Sequence, residues 1–284
     1  MNMTKPLEEI RDGQSLELLK ELHILTRDGK INQDSRRKLK QVYHLYHFIE
    51  PLLKELEKSN PEINLVDHGA GKSYLGFIIY DLFFNKRQSN EKTGRVYGIE
   101  TRDSLVQKSI ELQNRLDFKN MTFLNLSVAD SIQSEQIPKN VDIVTALHAC
   151  DTATDDAIHF ALVKNAKYVV LVPCCQAEVA SYLRSNKGAK LNSPLAEIYR
   201  HSIHTREFGS HLTNVLRCLL LESYGYQVTV TELIGLEHSM KNELIVAKKI
   251  EKRRPRQIER LQLLLHEFNL NELSTRFNTE LQIG

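Results

Sequence analysis

Apolar residues recur at helical spacing through the first sixty positions. Leu16, Leu18, Leu19 and Leu22 share one face, and Leu39, Val42, Tyr43, Tyr46, Phe48, Ile49, Leu52 and Leu53 repeat the pattern further on. Asp28-Gly29 and Asn32-Gln33-Asp34-Ser35 punctuate this region, and Ser59-Asn60-Pro61 ends it, because a proline biases the residue before it away from the helical conformation. Two or more helices are therefore predicted ahead of residue 61.

Beyond Pro61 the texture changes to short apolar runs that alternate with helical patterns, as in a parallel sheet with crossover helices. Strands are predicted at Ile63 to His68, Arg95 to Glu100, Met121 to Leu126, Val141 to His148, Lys167 to Pro173, Gln227 to Ile234 and Glu243 to Lys249. Helices are predicted at Lys72 to Phe84, Ser104 to Leu116, Thr154 to Lys164 and Thr213 to Tyr224, with a long loop from Ala177 to Leu212. Only Gly235 to Asn242 separates the last two strands, too little for a crossover, so that pair is predicted antiparallel. The fold class expected is α/β: a Rossmann-like, seven-stranded, mostly parallel sheet with one antiparallel strand. Ile258, Leu261, Leu264, Leu265 and Phe268 add an amphipathic helix after it. The organisation predicted is an N-terminal helical extension (1–60), a sheet domain (61–250) and a basic, helical tail (251–284).

The most informative segment is Leu65-Val66-Asp67-His68-Gly69-Ala70-Gly71-Lys72, in which a buried strand ends in an acid and a small-residue turn. Glycines at 69 and 71 admit a bulky ligand where a Cβ would clash, and the next helix begins at the same place. Two rival motifs fit less well. Gly69-Ala70-Gly71-Lys72-Ser73 resembles the end of a P-loop, but that motif needs a glycine where Val66 stands. A dinucleotide fingerprint starting at Gly69 needs one where Tyr74 stands. The second strand ends in Glu100, where nucleotide-binding sheets grip ribose hydroxyls, with helix capping as its alternative use. Asp130, after the third strand, is placed either to accept from an adenine amino group or to form a turn with Ser131.

Taken together, Asp67-His68-Gly69-Ala70-Gly71, Glu100 and Asp130, each at a strand's carboxyl end, resemble the class I S-adenosylmethionine-dependent methyltransferases over about residues 62–250. The resemblance implies S-adenosyl-L-methionine as cofactor. It places Asp67, Gly69 and Gly71 around the methionine portion, Glu100 at the ribose and Asp130 at the adenine, with His68 and Ala70 of the same turn among the cofactor-binding residues. His68 departs from the smaller or aliphatic residues usual at its position.

On the acceptor side, the fourth strand leads into Leu147-His148-Ala149-Cys150-Asp151 and the fifth into Pro173-Cys174-Cys175-Gln176. These segments are similar to those of the glutathione S-transferase C-terminal domain-containing proteins and of tRNA 2′-O-methyltransferases with a Cys-Cys-His segment, although Gln176 stands where that histidine would be. Three uses stay open for them. Cys174 or Cys175 adds to a pyrimidine ring as a thiolate; His148, Cys150, Cys174 and Cys175 converge on zinc, without a zinc-ribbon spacing; or the cysteines are buried fillers. His148 and Asp151 are the candidate proton acceptors, with a hydrogen-bonded core histidine as the alternative for His148. The set taken forward as catalytic is His148, Asp151, Cys174 and Cys175, with no metal.

The net charge of +2 says little about partners, but its distribution says more. Lys164 to Arg217 carries eight basic residues against three acids, and Lys241 to Arg260 repeats that balance. RNA held through the basic stretches 184–206 and 248–260 is the partner expected, a solvated surface being the other reading. The absence of a signal-like start and of any bilayer-length apolar run predicts a cytoplasmic chain that does not enter a membrane, with its four cysteines reduced. A methyltransferase acting on RNA is expected. The alternatives are the same chemistry on a protein or small molecule, or a noncatalytic module of the same fold that binds RNA or a partner.

Overall fold

A computed structural model describes residues 10–85, 93–147, 149, 151–173, 176–185, 194–233, 243–250, 252 and 254–277. Its strands form one seven-stranded sheet. β1 (Glu62–His68), β2 (Thr93–Glu100), β3 (Met121–Asn125), β4 (Ile143–Leu147), β5 (Tyr168–Val172), β6 (Tyr226–Glu232) and β7 (Glu243–Lys249) lie in the order β3-β2-β1-β4-β5-β7-β6. β7 runs antiparallel to both of its neighbours, as the short connection before it requires. The chain divides into two compact units, one reaching from the N-terminal helices to Leu126, the other from Ser127 to Glu232 and including the C-terminal helix.

In the first unit, α1 (Leu16–Glu21) and α2 (Gln33–Ser59) are the two helices expected, each opened by a side-chain cap. Ser15 Oγ accepts from the Leu18 amide at 3.1 Å and Asn32 Oδ1 from the Ser35 amide at 2.8 Å, satisfying donors that a helix start leaves open. Asp81 ties α1 down by accepting from the Ser15 amide at 2.9 Å. β1 pairs in parallel with β2, Leu65 opposite Val96 and Asp67 opposite Gly98, and β2 pairs in parallel with β3. The predicted helix 72–84 is shorter than expected: α3 is Tyr74–Ile79, and Tyr80–Phe84 continues it as a wider, π-type turn. Lys72 and Ser73 belong to the turn before it. Further on, α4 (Asp103–Arg115) lies between β2 and β3.

In the second unit, α5 (Val128–Gln133) is a short helix that the sequence reading passed over, and α6 (Thr152–Val163) connects β4 to β5. The largest correction concerns residues 177–212, expected as one loop. They hold α7 (Glu178–Ser185), a 3-10 turn at Pro194–Tyr199 and the first half of α8, which runs from Ser202 to Ser223. Gly209, inside that stretch, is a crossing point: a Cβ there would sit 2.8 Å from Ala180, so only glycine lets α7 and α8 approach this closely. The C-terminal helix is α9 (Pro255–Glu267), with Pro255 in its first turn and Leu261 and Leu265 buried. No helix among the described residues is long and apolar enough to cross a membrane.

Candidate functional site

The first unit builds a tight bend where β1 ends. Gly69 and Gly71 have φ of 65° and 58°, the left-handed region in which a side chain is strained, and Ser73 follows at 50°. The bend is pinned from several sides. The Ala70 amide donates to the Ile99 carbonyl at 3.0 Å, the Ser73 amide to the Ala70 carbonyl at 2.6 Å, and Ser73 Oγ to Asp67 Oδ2 at 3.3 Å. Asp67, only 2% exposed, thus braces the turn from within. His68 is buried beside it, and burial pushes its imidazole down to about 4, so it is neutral at physiological pH.

Glu100, 7% exposed at the end of β2, faces the same bend. Its Oε2 accepts from the Gly71 amide at 2.8 Å and from Arg102 Nη2 at 3.1 Å. Its Oε1 accepts from the Arg102 amide and Arg102 Nε, each at 3.0 Å, and from Thr101 Oγ1 at 3.4 Å. Burial works against ionisation of Glu100, but the Arg102 side chain together with the Arg102 and Gly71 amides outweighs it and holds the carboxyl below its usual range. The side-chain amide of Asn125 fixes the backbone here by donating to the carbonyls of Glu100 at 3.1 Å and Thr101 at 2.9 Å. Sequence reasoning singled out Glu100 but not Arg102; a cation two residues after a strand-end acid was the available signal.

In the second unit, Asp130 forms the start of α5. Its amide donates to Ser127 Oγ at 3.2 Å, and Ser127 Oγ donates to Asp130 Oδ2 at 2.5 Å, a reciprocal cap on an exposed helix end. Asp151, at the start of α6, adopts φ 49° and ψ −120°, a conformation rare outside glycine. Its Oδ1 accepts from the amides of Ala177 and Glu178 at 3.2 and 3.3 Å, so the carboxylate caps α7. His148, Cys150, Cys174 and Cys175 lie outside the described residues. The described cysteine, Cys218, has its thiol pushed up to about 12, by burial first and then by Glu243 and Glu222, which leaves it protonated and inert. Among the described residues, no group of three or more His, Cys, Asp and Glu could hold a metal ion.

Below the end of β5 lies a buried polar network that sequence reasoning missed. Arg217, fully buried, donates to both oxygens of Asp155, at 2.7 and 2.9 Å, to Asn214 Oδ1 at 3.2 Å and to the Asp151 carbonyl at 2.8 Å. Gln176 Nε2 donates to Asn214 Oδ1 at 2.6 Å, Ser210 donates to Gln176, and Asn214 Nδ2 donates to Glu243 at 2.8 Å. Asn214 and Arg217 stand three apart inside an otherwise leucine-rich helix, which was the only hint in the sequence. Above them opens a cavity of about 310 Å³, lined among others by Pro173, Gln176, Glu207, His211, Glu232 and Glu243.

A sheet ordered 3-2-1-4-5-7-6 with its seventh strand reversed, closed at the first strand by a glycine bend and at the second by a buried acid, is the arrangement of a class I methyltransferase. The family follows from the chain itself: it belongs to the methyltransferase domain family Methyltransf_32, whose model matches residues 37–182. Among curated proteins it is similar to the glutathione S-transferase C-terminal domain-containing proteins of Bos taurus (22% identical over 182 residues, 64% of this chain and 25% of the relative) and Mus musculus (21% over 182 residues, 64% and 24%). The match thus spans about a quarter of the length of these relatives. Similar solved structures include the N-terminal domain of human METTL16 in complex with SAH (12% identity, 83% of this chain and 79% of that one, TM-score 0.47). Another is an rRNA methylase from Streptococcus thermophilus (11%, 72% and 95%, TM-score 0.44).

Proposed function

We propose that the chain transfers a methyl group from S-adenosylmethionine to RNA. The observation that carries the cofactor half of this reading is the pairing of the left-handed glycine bend with the buried Glu100 carboxylate, linked by the hydrogen bond from the Gly71 amide. The two glycines of the bend leave space for a sulfonium nucleoside, and a Cβ built on Gly71 would meet nothing nearer than Arg102 Nη2 at 3.9 Å. Asp67 and the bend would hold the methionine portion and Glu100 the ribose hydroxyls. Bound there, the cofactor supplies a methyl group on a good leaving group, so placement of the acceptor carries much of the rate.

For RNA as acceptor, the support is a set of exposed cations in the second unit: Arg184 on α7, Arg200 just before α8 and Arg206 in its first turns, and Lys252, Arg256 and Arg260 around α9. Such groups suit phosphates. The test is incorporation of tritiated methyl groups from labelled cofactor into total cellular RNA, with protein from the same extract as the second acceptor. Label in RNA is the expected result, and label confined to protein overturns it. One observation favours that other reading: Glu207, Glu232 and Glu243 line the second unit's cavity, which suits a cationic acceptor such as an amine-bearing side chain or small molecule.

A further inference from the structure

Glu100 carries more donors than a ligand-ready carboxylate has room for. An ionised carboxylate offers about four acceptor positions, and here the Gly71 amide, the Arg102 amide, Arg102 Nε, Arg102 Nη2 and Thr101 Oγ1 already converge on it. Two of these donors, the amides, belong to the backbone and cannot leave without unmaking the bend or the entry to α4. The guanidinium can leave. Arg102 is 67% exposed along its side chain, against 7% for Glu100, so swinging it away costs little packing. It also lies over the bend itself, since its Nη2 is the nearest atom to the Cβ that Gly71 lacks. The exchange is matched in number. Arg102 Nε sits on Oε1 and Nη2 on Oε2, so its departure removes one donor from each oxygen, and a ribose cis-diol supplies one hydroxyl for each, the one on Oε1 also taking the place of the long 3.4 Å contact from Thr101 Oγ1.

We propose that Arg102 is a latch on the cofactor site: its guanidinium fork holds Glu100 in the ligand-free protein and is exchanged, bond for bond, for the ribose diol of the bound nucleoside. The proposal rests on the reading of Glu100 as the ribose ligand. Arg102 is then a competitor of the cofactor rather than a contact to it, and the apparent affinity is lowered by the fraction of molecules in which the latch is closed. With its guanidinium exposed and its carboxylate buried, the pair is screened by salt in part, so the latch loosens modestly as ionic strength rises.

The test is calorimetric titration with S-adenosylhomocysteine, a zwitterion without net charge, using the full chain and its Arg102→Ala, Arg102→Lys and Glu100→Ala variants. Removing the competitor is expected to tighten binding by at least roughly two- to five-fold, the range of an exposed ion pair, which a pair with one buried partner should equal or exceed. Arg102→Lys, which cannot span both oxygens, should fall between Arg102→Ala and wild type. Wild-type affinity should gain on Arg102→Ala as salt is raised, and the two should converge. Binding unchanged or weakened in Arg102→Ala, with Glu100→Ala strongly impaired, would overturn the latch while leaving the ribose reading intact. Binding by Glu100→Ala equal to wild type would overturn both.

Discussion

At His68 the governing quantity is burial. The imidazole is 4% exposed and burial pushes it down to about 4, whereas an unfolded chain leaves it near its ordinary value of about 6.5. Protons therefore bind the unfolded chain first, so this group's share of stability is whole above about pH 6.5 and is lost as pH falls toward 4. The sum is roughly 3 kcal/mol. Replacing it by an aliphatic side chain removes the titration, so the melting temperature of His68→Leu should fall less than that of wild type between pH 7 and pH 4.5. Parallel curves for the two proteins would contradict the assignment. The same burial makes His68 a poor proton acceptor for catalysis. Asp67 stiffens the turn, its carboxylate accepting from Ser73.

Among the elements, α8 is the organising one, and it is also where reading from sequence fell short. Its buried Arg217 holds Asp155 on α6 bidentately and the Asp151 carbonyl at that helix's start, while Asn214 reaches Gln176 and Glu243. Leaving one buried charge without its partner typically costs about 3 to 5 kcal/mol, whereas replacing both by apolar groups of similar volume is often close to neutral. Chemical denaturation should thus show Arg217→Met destabilised by about that amount, and Arg217→Met combined with Asp155→Leu recovering most of the loss. A double variant no better than the single would show that the network's other bonds dominate. The strands and their order of appearance were legible because runs such as Tyr168 to Val172, buried on both faces, can be little else. The short connection before Glu243 announced the reversed strand. α7 and the first half of α8 were not legible, because Gly209 and the surrounding polar residues read as a loop until the crossing with Ala180 is known. As for the site, Gly69, Gly71 and Glu100 announced themselves by position. Gln176 and Arg217 did not, since their meaning depends on contacts between distant stretches of chain, and Arg102 was passed over although it stands two residues from Glu100.

Taken whole, the molecule pairs a family-defining sheet with little overall charge. The net charge of +2 provides almost no long-range steering, so recognition of an acceptor falls to local groups. Two kinds of local charge stand on the second unit: exposed arginines and lysines on and beside its helices, and glutamates around its cavity. The cofactor claim comes before the acceptor claim, because every reading of the acceptor presumes a nucleoside held against the bend after β1. The most direct test is calorimetric titration of purified wild-type protein with S-adenosylmethionine, beside Asp67→Ala under the same conditions. Saturable one-to-one binding by wild type, weakened at least tenfold in the variant, is the predicted result. No measurable binding by folded wild-type protein would contradict the account at its root.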